Sequence, residues 1–289
     1  MRHTGWIIYP RYTASHSDNA FGWLAQEAAA FDIDLKVVFI EDISIVYGQT
    51  TAAIYIGNQC ISELPSFVII RTYDTTVSRY FERLGILVIN SATSMELCKN
   101  KMLTHEILHD NGLPTPLTVY REGGEYNYSE LSSFFGGPTF IVKQIDGAKG
   151  ENVFLVSDAK AMNAAIGKCG GRCLCQQFVA TSYGRDVRVW VIGGKVAGAV
   201  LRYSETSFLS NFSQGGNVDA IDLPSDASEL AVHSATAVGA KFAGIDLLFT
   251  SDGFTVNEIN GNAGFRTLSR IGINDIPHKL FAYIKEMLH

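Results

Sequence analysis

The sequence predicts a chain that is α/β at its start and α+β thereafter, and three observations carry that reading. Up to about residue 90, short uninterrupted apolar runs alternate with helical segments, the pattern of a parallel sheet covered on both faces. From Leu117 onward the apolar runs come closer together with glycine turns between them, as in antiparallel hairpins. At 289 residues the chain also exceeds what one compact core usually supports, so several units are expected.

Trp6-Ile7-Ile8-Tyr9 begins the first strand, followed by an alanine-rich helix over 19–31 and a second strand over 35–40. Residues 67–70 form a third strand, 75–84 a helix and 86–89 a fourth strand. Parallel sheets bind ligands beyond the carboxyl ends of their strands. Arg71, Tyr73 and Asp74 stand at such an end, either as substrate contacts or as an ordinary polar loop. A helix over 94–111 closes at Gly112, before the stiff Pro114-Thr115-Pro116. The strand 138–143 ends in Lys143, a loop containing Gly147 and Gly150 follows, and 153–156 returns as its partner. Such a loop either lowers backbone N–H groups onto phosphate oxygens or simply turns a hairpin. Asp158 starts a short helix over 158–168, and the strand 174–179 breaks at 180–184. These breaks divide the chain into 1–90, 91–183 and 184–289.

In the last part, 186–192 and 195–203 form a hairpin around Gly193-Gly194. Asp186, Arg188 and Trp190 share one strand face, and Arg202 ends the second strand. A polar loop, an amphipathic helix over 227–242, strands 244–249 and 254–260 around the turn 250–253, and a helix over 274–288 complete the chain. Glu258 and Asn260 are two apart on a strand and share a face, and antiparallel pairing brings Asp246 to the same side. Two carboxylates and an amide oxygen suit Mg²⁺; the alternative is a solvated acidic strand. Arg266, beyond that strand, is placed either to grip a substrate carboxylate or to stand on a surface loop, and Arg188 has the same two readings.

Composition removes several classes. A net charge of −6 argues against a protein built to bind nucleic acid backbones. No apolar run approaches the ~20 residues that span a bilayer, and the amino terminus lacks a leader pattern, so a cytoplasmic protein is expected. Five cysteines fit reduced thiols, with Cys169, Cys173 and Cys175 as ordinary buried groups rather than zinc ligands. His105, Glu106 and His109 match His-Glu-x-x-His on a helix, so a zinc protease is the alternative from another class. Neither a dinucleotide fingerprint nor a P-loop is present.

Taken in order, the remaining motifs resemble the ATP-grasp superfamily, and within it the RimK-like carboxylate–amine ligases of the alpha-L-glutamate ligase type. They are Lys101-Met102-Leu103 opening a helix, Lys143 with its glycine loop, Gln176-Gln177-Phe178-Val179, Gly184-Arg185-Asp186-Val187-Arg188, Ser210-Asn211 before Gly215-Gly216, and Asp246 with Glu258-Ile259-Asn260. The similarity runs from about Asn100 to Thr267, and residues 1–90 match in architecture alone.

The resemblance implies an N-terminal Rossmann-like domain, a central lid domain and a C-terminal antiparallel-sheet domain, with ATP between the two antiparallel sheets. It implies nucleotide contacts from Lys101, Lys143, Gly147, Lys149, Gly150, Gln176, Gln177, Phe178, Val179, Asp186 and Asn211. Lys143 and Arg202 would serve the transferred phosphate, and Arg71, Arg188 and Arg266 the substrates. Asp246, Glu258 and Asn260 would hold two Mg²⁺, or Mn²⁺ in their place. The expected reaction joins a carboxylate to an amine through an acylphosphate, adding an amino acid such as glutamate to a small molecule, peptide or protein terminus. A kinase releasing a phosphorylated product is the alternative within the fold, and the chain is either a monomer or a homo-oligomer. Gln177 departs from the glutamate common in the family, and Leu209 from an arginine found in some relatives.

Overall fold

The computed structural model describes residues 2–12, 18–48, 53–147, 150–210, 216–265, 268, 272 and 275–289. β1 (His3–Tyr9), α1 (Asp18–Ala29) and β2 (Ile33–Phe39) open the chain. β3 (Ile43–Val46), β4 (Ala53–Ile56) and β5 (Gln59–Cys60) form a small antiparallel sheet that the sequence reading does not contain. Ile43, Ile45, Ile54 and Ile56 alternate along it and pack against Val68 and Ile70, so its pattern was legible but short. β6 (Phe67–Ile70), α2 (Thr76–Arg83) and β7 (Leu87–Ile89) complete a four-stranded sheet in the order β2-β1-β6-β7, parallel throughout as expected.

The predicted helix 94–111 is instead two, α3 (Ala92–Lys99) and α4 (Lys101–Asp110). Asn100 between them is extended, and its side-chain oxygen accepts from the backbone N–H groups of Met102 (3.0 Å) and Leu103 (3.3 Å). An asparagine that caps a new helix offers the backbone an alternative to continuing the old one. It also sets Lys101 at the first position of α4.

β8 (Thr118–Tyr120), α5 (Tyr128–Phe134), β9 (Phe140–Gln144), β10 (Val153–Val156), α6 (Ala159–Lys168) and β11 (Cys173–Gln177) follow. Their strands form an antiparallel sheet ordered β10-β9-β11-β8. Helix α5 was missed, although Asn127 followed three residues later by Glu130 is the spacing of a capping box. This sheet has its own core of Phe140, Val142, Met162, Cys173 and Cys175. All five cysteines are free, and burial pushes Cys173 up to about 11 and Cys175 to about 12, so both remain protonated thiols.

β12 (Arg185–Ile192), β13 (Lys195–Tyr203), β14 (Asn217–Ala220), α7 (Ser225–Ala237), β15 (Phe242–Phe249), β16 (Phe254–Asn260) and α8 (Ile276–Met287) end the chain. The five strands are antiparallel in the order β14-β13-β12-β15-β16. One face packs on α4 and α7 through Val187, Val189, Ile245, Val256 and Ile259. The other shares a core with the N-terminal sheet, where Ile7, Phe67 and Ile69 meet Trp190, Phe242 and Phe281.

Asn90 ties these two sheets together. Buried after β7, it donates to the carbonyls of Phe242 (2.6 Å) and Gly261 (2.8 Å) and accepts from the N–H groups of Lys241 (2.8 Å) and Phe242 (2.9 Å). Asn90→Ala leaves four buried backbone groups unpaired, each costing about 1–3 kcal/mol. A loss on the order of 4 kcal/mol is expected in urea unfolding, and a change below ~1 kcal/mol would show that water replaces the side chain.

Candidate functional site

Two adjoining cavities open between the central sheet and the large antiparallel sheet, and Gly147, Gly150, Glu151 and Glu258 form the wall they share. The first is a slot with apolar sides from Ile141, Val153, Phe178 and Leu248. At its inner end stand Lys101, Lys143, Asp246 and Glu258, and along its edge Gln176, Gln177, Val179 and Asp186. The second is lined by Arg71, Tyr73, Arg188, Trp190, Arg202 and Asn260. The structure thus brings together most of the predicted site residues. Lys149, Asn211 and Arg266 lie outside the described residues.

Strand geometry places the lysines. Lys143 sits on β9 opposite Leu174 of β11, is buried, and approaches Asn257 Oδ1 at 3.4 Å. Burial, followed by the neighbouring Lys101 charge, lowers its ammonium pKa to about 7. Lys101, pointing from the start of α4, donates to the Gly147 carbonyl and lies 3.5 Å from Glu258 Oε1.

The carboxylates come from one hairpin. Asp246 on β15 stands directly across from Glu258 on β16, and the register shifts just beyond them, so Asn257 is an extra residue in the ladder. Val256 and Ile259 both turn to the core although they are three apart, the one sign of this bulge in the sequence. Asn257 therefore joins the site, a residue that strict alternation had directed elsewhere.

The structure pairs these groups in ways the sequence did not reveal. Arg188 donates to both oxygens of Asp246 at 2.6 Å, and Arg202 approaches the same carboxylate at 2.9 Å. Arg202 in turn forks onto Asp186, with its Nε 2.6 Å from Oδ1. Burial alone would raise the Asp246 carboxyl, but Arg188 and Arg202 outweigh it and hold it below the usual carboxylate range. Asp186, Arg202, Asp246 and Arg188 are thus a compensated chain of four charges. Asn260 Oδ1 accepts from the Tyr73 hydroxyl and the Asn262 N–H, each at 3.0 Å. Burial and then the Glu258 charge push the Tyr73 phenol up, so it stays protonated as the donor.

Two buried polar atoms on the second cavity have no partner among the described residues: Asn262 Oδ1 and Arg71 Nε. The first is an acceptor and the second a donor. A hard divalent cation fits this oxygen-rich hairpin by donor chemistry. Glu258 is its least engaged carboxylate, whereas a cation at Asp246 would share that residue with its arginines. Among the described residues no group of three His, Cys, Asp or Glu is arranged to hold a metal ion.

The zinc-protease alternative fails on geometry. His105 is buried, with Nδ1 on Thr115 Oγ1 and Nε2 3.0 Å from the Gln176 side-chain nitrogen, so neither ring nitrogen is open to a metal. Glu106 and His109 are exposed. Packing turns His105 inward, and the spacing that matched the motif serves helix packing instead. Among the described residues no helix is long and apolar enough to cross a membrane.

Comparison with known proteins agrees with the geometry. A family model described as the RimK-like ATP-grasp domain matches residues 98–284. A protein named "Probable alpha-L-glutamate ligase" from Sodalis glossinidius (strain morsitans) is 30% identical over 220 residues, covering 75% of this chain and 74% of its own. N-acetylaspartylglutamate synthase A of Mus musculus is 30% identical over 280 residues, covering 92% and 73%. The solved structure of ATP-grasp ligase PsnB with a phosphomimetic variant of its minimal precursor, Mg and ADP superposes with a TM-score of 0.72. Its sequence identity is 20%, with 99% of this chain and 98% of that one covered.

Proposed function

The chain belongs to the RimK-like ATP-grasp family of ATP-dependent ligases that join a carboxylate to an amine, and from that premise we propose the substrates and the division of labour within its site. The reading assigns an amino acid such as glutamate as the amine, transferred to a carboxylate on a small molecule, peptide or protein terminus. The glutamate-ligase names, and a solved structure of PsnB described as complexed with a precursor peptide, support that class. The observation that carries the reading is that Lys101, Lys143, Asp246 and Glu258 line one apolar slot, and that Glu258 also lines the adjoining arginine-bearing cavity.

In this reading the slot between Ile141 and Leu248 takes the adenine, and the triphosphate runs inward to Lys101 and Lys143. A carboxylate is a poor electrophile because oxide is a poor leaving group. Transfer of the γ-phosphoryl group gives an acylphosphate, and the amine then displaces phosphate. Moving a phosphoryl group between anions demands positioning and positive charge above all. Lys143 and Lys101 supply point charges, and Arg202 lies behind Asp246 to meet the transferred group. Arg71 and Arg188 line the second cavity and receive substrate carboxylates. Asp246, Glu258 and Asn260 would hold two Mg²⁺, which would supply positive charge against the phosphates. Lys149, Asn211 and Arg266 retain their sequence-based roles as proposals. The loop bearing Gly147 and Gly150 covers the acylphosphate against water. We keep the division at 1–90, 91–183 and 184–289, with the middle unit as the lid.

The test is product analysis with candidate amines and acids. ADP and phosphate formed only when both substrates are present support ligation. A stable phosphorylated acid without amine, or AMP and pyrophosphate, contradicts it.

Lys143 gives this reading a pH signature. In the free protein its pKa is about 7 against an ordinary 10.5, and contact with polyphosphate raises it again. Below pH 7 both states are charged and no proton moves. Between about 7 and 10.5 binding takes up a proton, so ATP affinity falls by up to about tenfold per pH unit. Calorimetry in buffers of different ionisation enthalpy measures the uptake. Lys143→Arg, always charged, is expected to abolish it, and uptake that persists in that variant would contradict the assignment.

A further inference from the structure

Tyr73, three residues beyond the end of β6, reaches across to the last residue of β16. Its hydroxyl lies 3.0 Å from Asn260 Oδ1, and the Asn262 backbone N–H lies at the same distance from that oxygen. Two residues before Tyr73, Arg71 Nη2 donates to the Ala263 carbonyl at 2.9 Å. The segment leaving the N-terminal sheet is thus held to residues 260–263 by two side-chain bonds.

These bonds settle which atom of the amide is engaged. A backbone N–H can only donate, so the atom of Asn260 facing Asn262 is the oxygen, and toward that oxygen Tyr73 must be a donor. Burial and the Glu258 charge keep the phenol protonated for that task. An amide oxygen has two lone pairs, and here both are taken. A divalent cation that binds Oδ1 needs one of them. The Asn262 N–H belongs to the turn leaving β16, in which a side chain bonds the backbone two residues on, so losing it means rebuilding the turn. The Tyr73 hydroxyl needs only the rotation of one side chain. Tyr73 and Asn260 both line the second cavity, the space into which the phenol would swing.

We propose that Tyr73 occupies, in the free protein, the lone pair of Asn260 that the cation takes, so that loading the metal breaks a hydrogen bond between the N-terminal and C-terminal sheets. Tyr73 is then a positioning residue that opposes the cation by holding the Asn260 side chain. This rests on the reading of Asn260 as a metal ligand. The consequence is a linkage: removing the phenol from Asn260 strengthens metal binding by the net worth of one hydrogen bond, and the metal in turn releases the phenol.

Calorimetry of ADP binding with Mn²⁺ in excess, and again in EDTA, reads the gain in affinity that the cation brings and needs neither turnover nor an acceptor. Tyr73→Phe removes the hydroxyl and keeps the ring, and is expected to enlarge that gain by about three- to tenfold. Asn260→Ala is expected to shrink the gain, and adding Tyr73→Phe to it should change nothing further. A purely structural role for Tyr73 would alter ADP affinity alike in Mn²⁺ and in EDTA, leaving the gain unmoved. An unmoved or smaller gain in Tyr73→Phe, or an enlargement that survives in the Asn260→Ala background, overturns the proposal alone. A wild-type gain that Asn260→Ala leaves intact, or no wild-type gain, overturns the metal reading of Asn260 together with it. Crystals of the wild-type protein with Mn²⁺ and ADP give an answer without any variant. Manganese on Asn260 Oδ1 with the phenol turned away supports the proposal, and manganese there with the 3.0 Å bond intact contradicts it. Manganese that misses Asn260 overturns both readings.

Discussion

Lys143→Met is expected to lower turnover by roughly 100- to 1,000-fold, the usual cost of removing one preorganised positive donor from a reacting phosphate. The same change is expected to leave stability unchanged or to raise it. In the free protein burial and the Lys101 charge oppose the Lys143 ammonium and lower its pKa to about 7. A base whose folded pKa lies below its unfolded value is held against its charge. Its cost is fully present below pH 7 and fades as pH rises toward 10.5. Methionine has similar length and needs no hydration, so it removes that cost. Steady-state kinetics with parallel urea unfolding separates the two effects. A variant that is both inactive and markedly less stable would show that Lys143 supports the fold and not the chemistry.

Asp246→Asn is expected to do the reverse and damage both. Its carboxylate neutralises Arg188 and Arg202, and only Arg202 retains a second partner, Asp186. Removing one member of a buried ion pair strands the other, at a cost of about 3 kcal/mol or more. Turnover is expected to fall below detection because the proposed metal loses a charged ligand. The double variant Asp246→Asn with Arg188→Met removes the stranded charge, so it should regain stability in urea unfolding while remaining inactive. Recovery of activity in the double variant would place the metal elsewhere.

These predictions draw on features with unequal visibility in the sequence. The parallel sheet was legible because Phe67-Val68-Ile69-Ile70 is apolar without interruption, which few structures other than a doubly covered strand accommodate. The hairpin carrying Asp246 and Glu258 was legible from its turn and flanking runs. The engagement of Asp246 was not. It depends on Asp186 facing Arg202 and Arg188 facing Asp246 across strands, and that register is fixed by pairing far along the chain. Asn257 escaped for a related reason, since a bulge changes which residues share a face without altering composition. His105 misled because four-residue spacing fixes two residues on one helix side but not which way that side turns. Tertiary packing turned it toward Gln176, and its chemistry changed from ligand to hydrogen-bond acceptor.

The central claim is that the oxygens of the β15–β16 hairpin hold the cation that meets a triphosphate gripped by Lys143 and Lys101. Anomalous scattering from crystals grown with Mn²⁺ and a non-hydrolysable ATP analogue tests it directly. The expected map shows manganese coordinated by Glu258 together with Asp246 or Asn260, with phosphate oxygens of the analogue completing the shell and Lys143 on the phosphates. Manganese bound only by phosphates or at another site, with Glu258 and Asp246 uninvolved, would contradict the account.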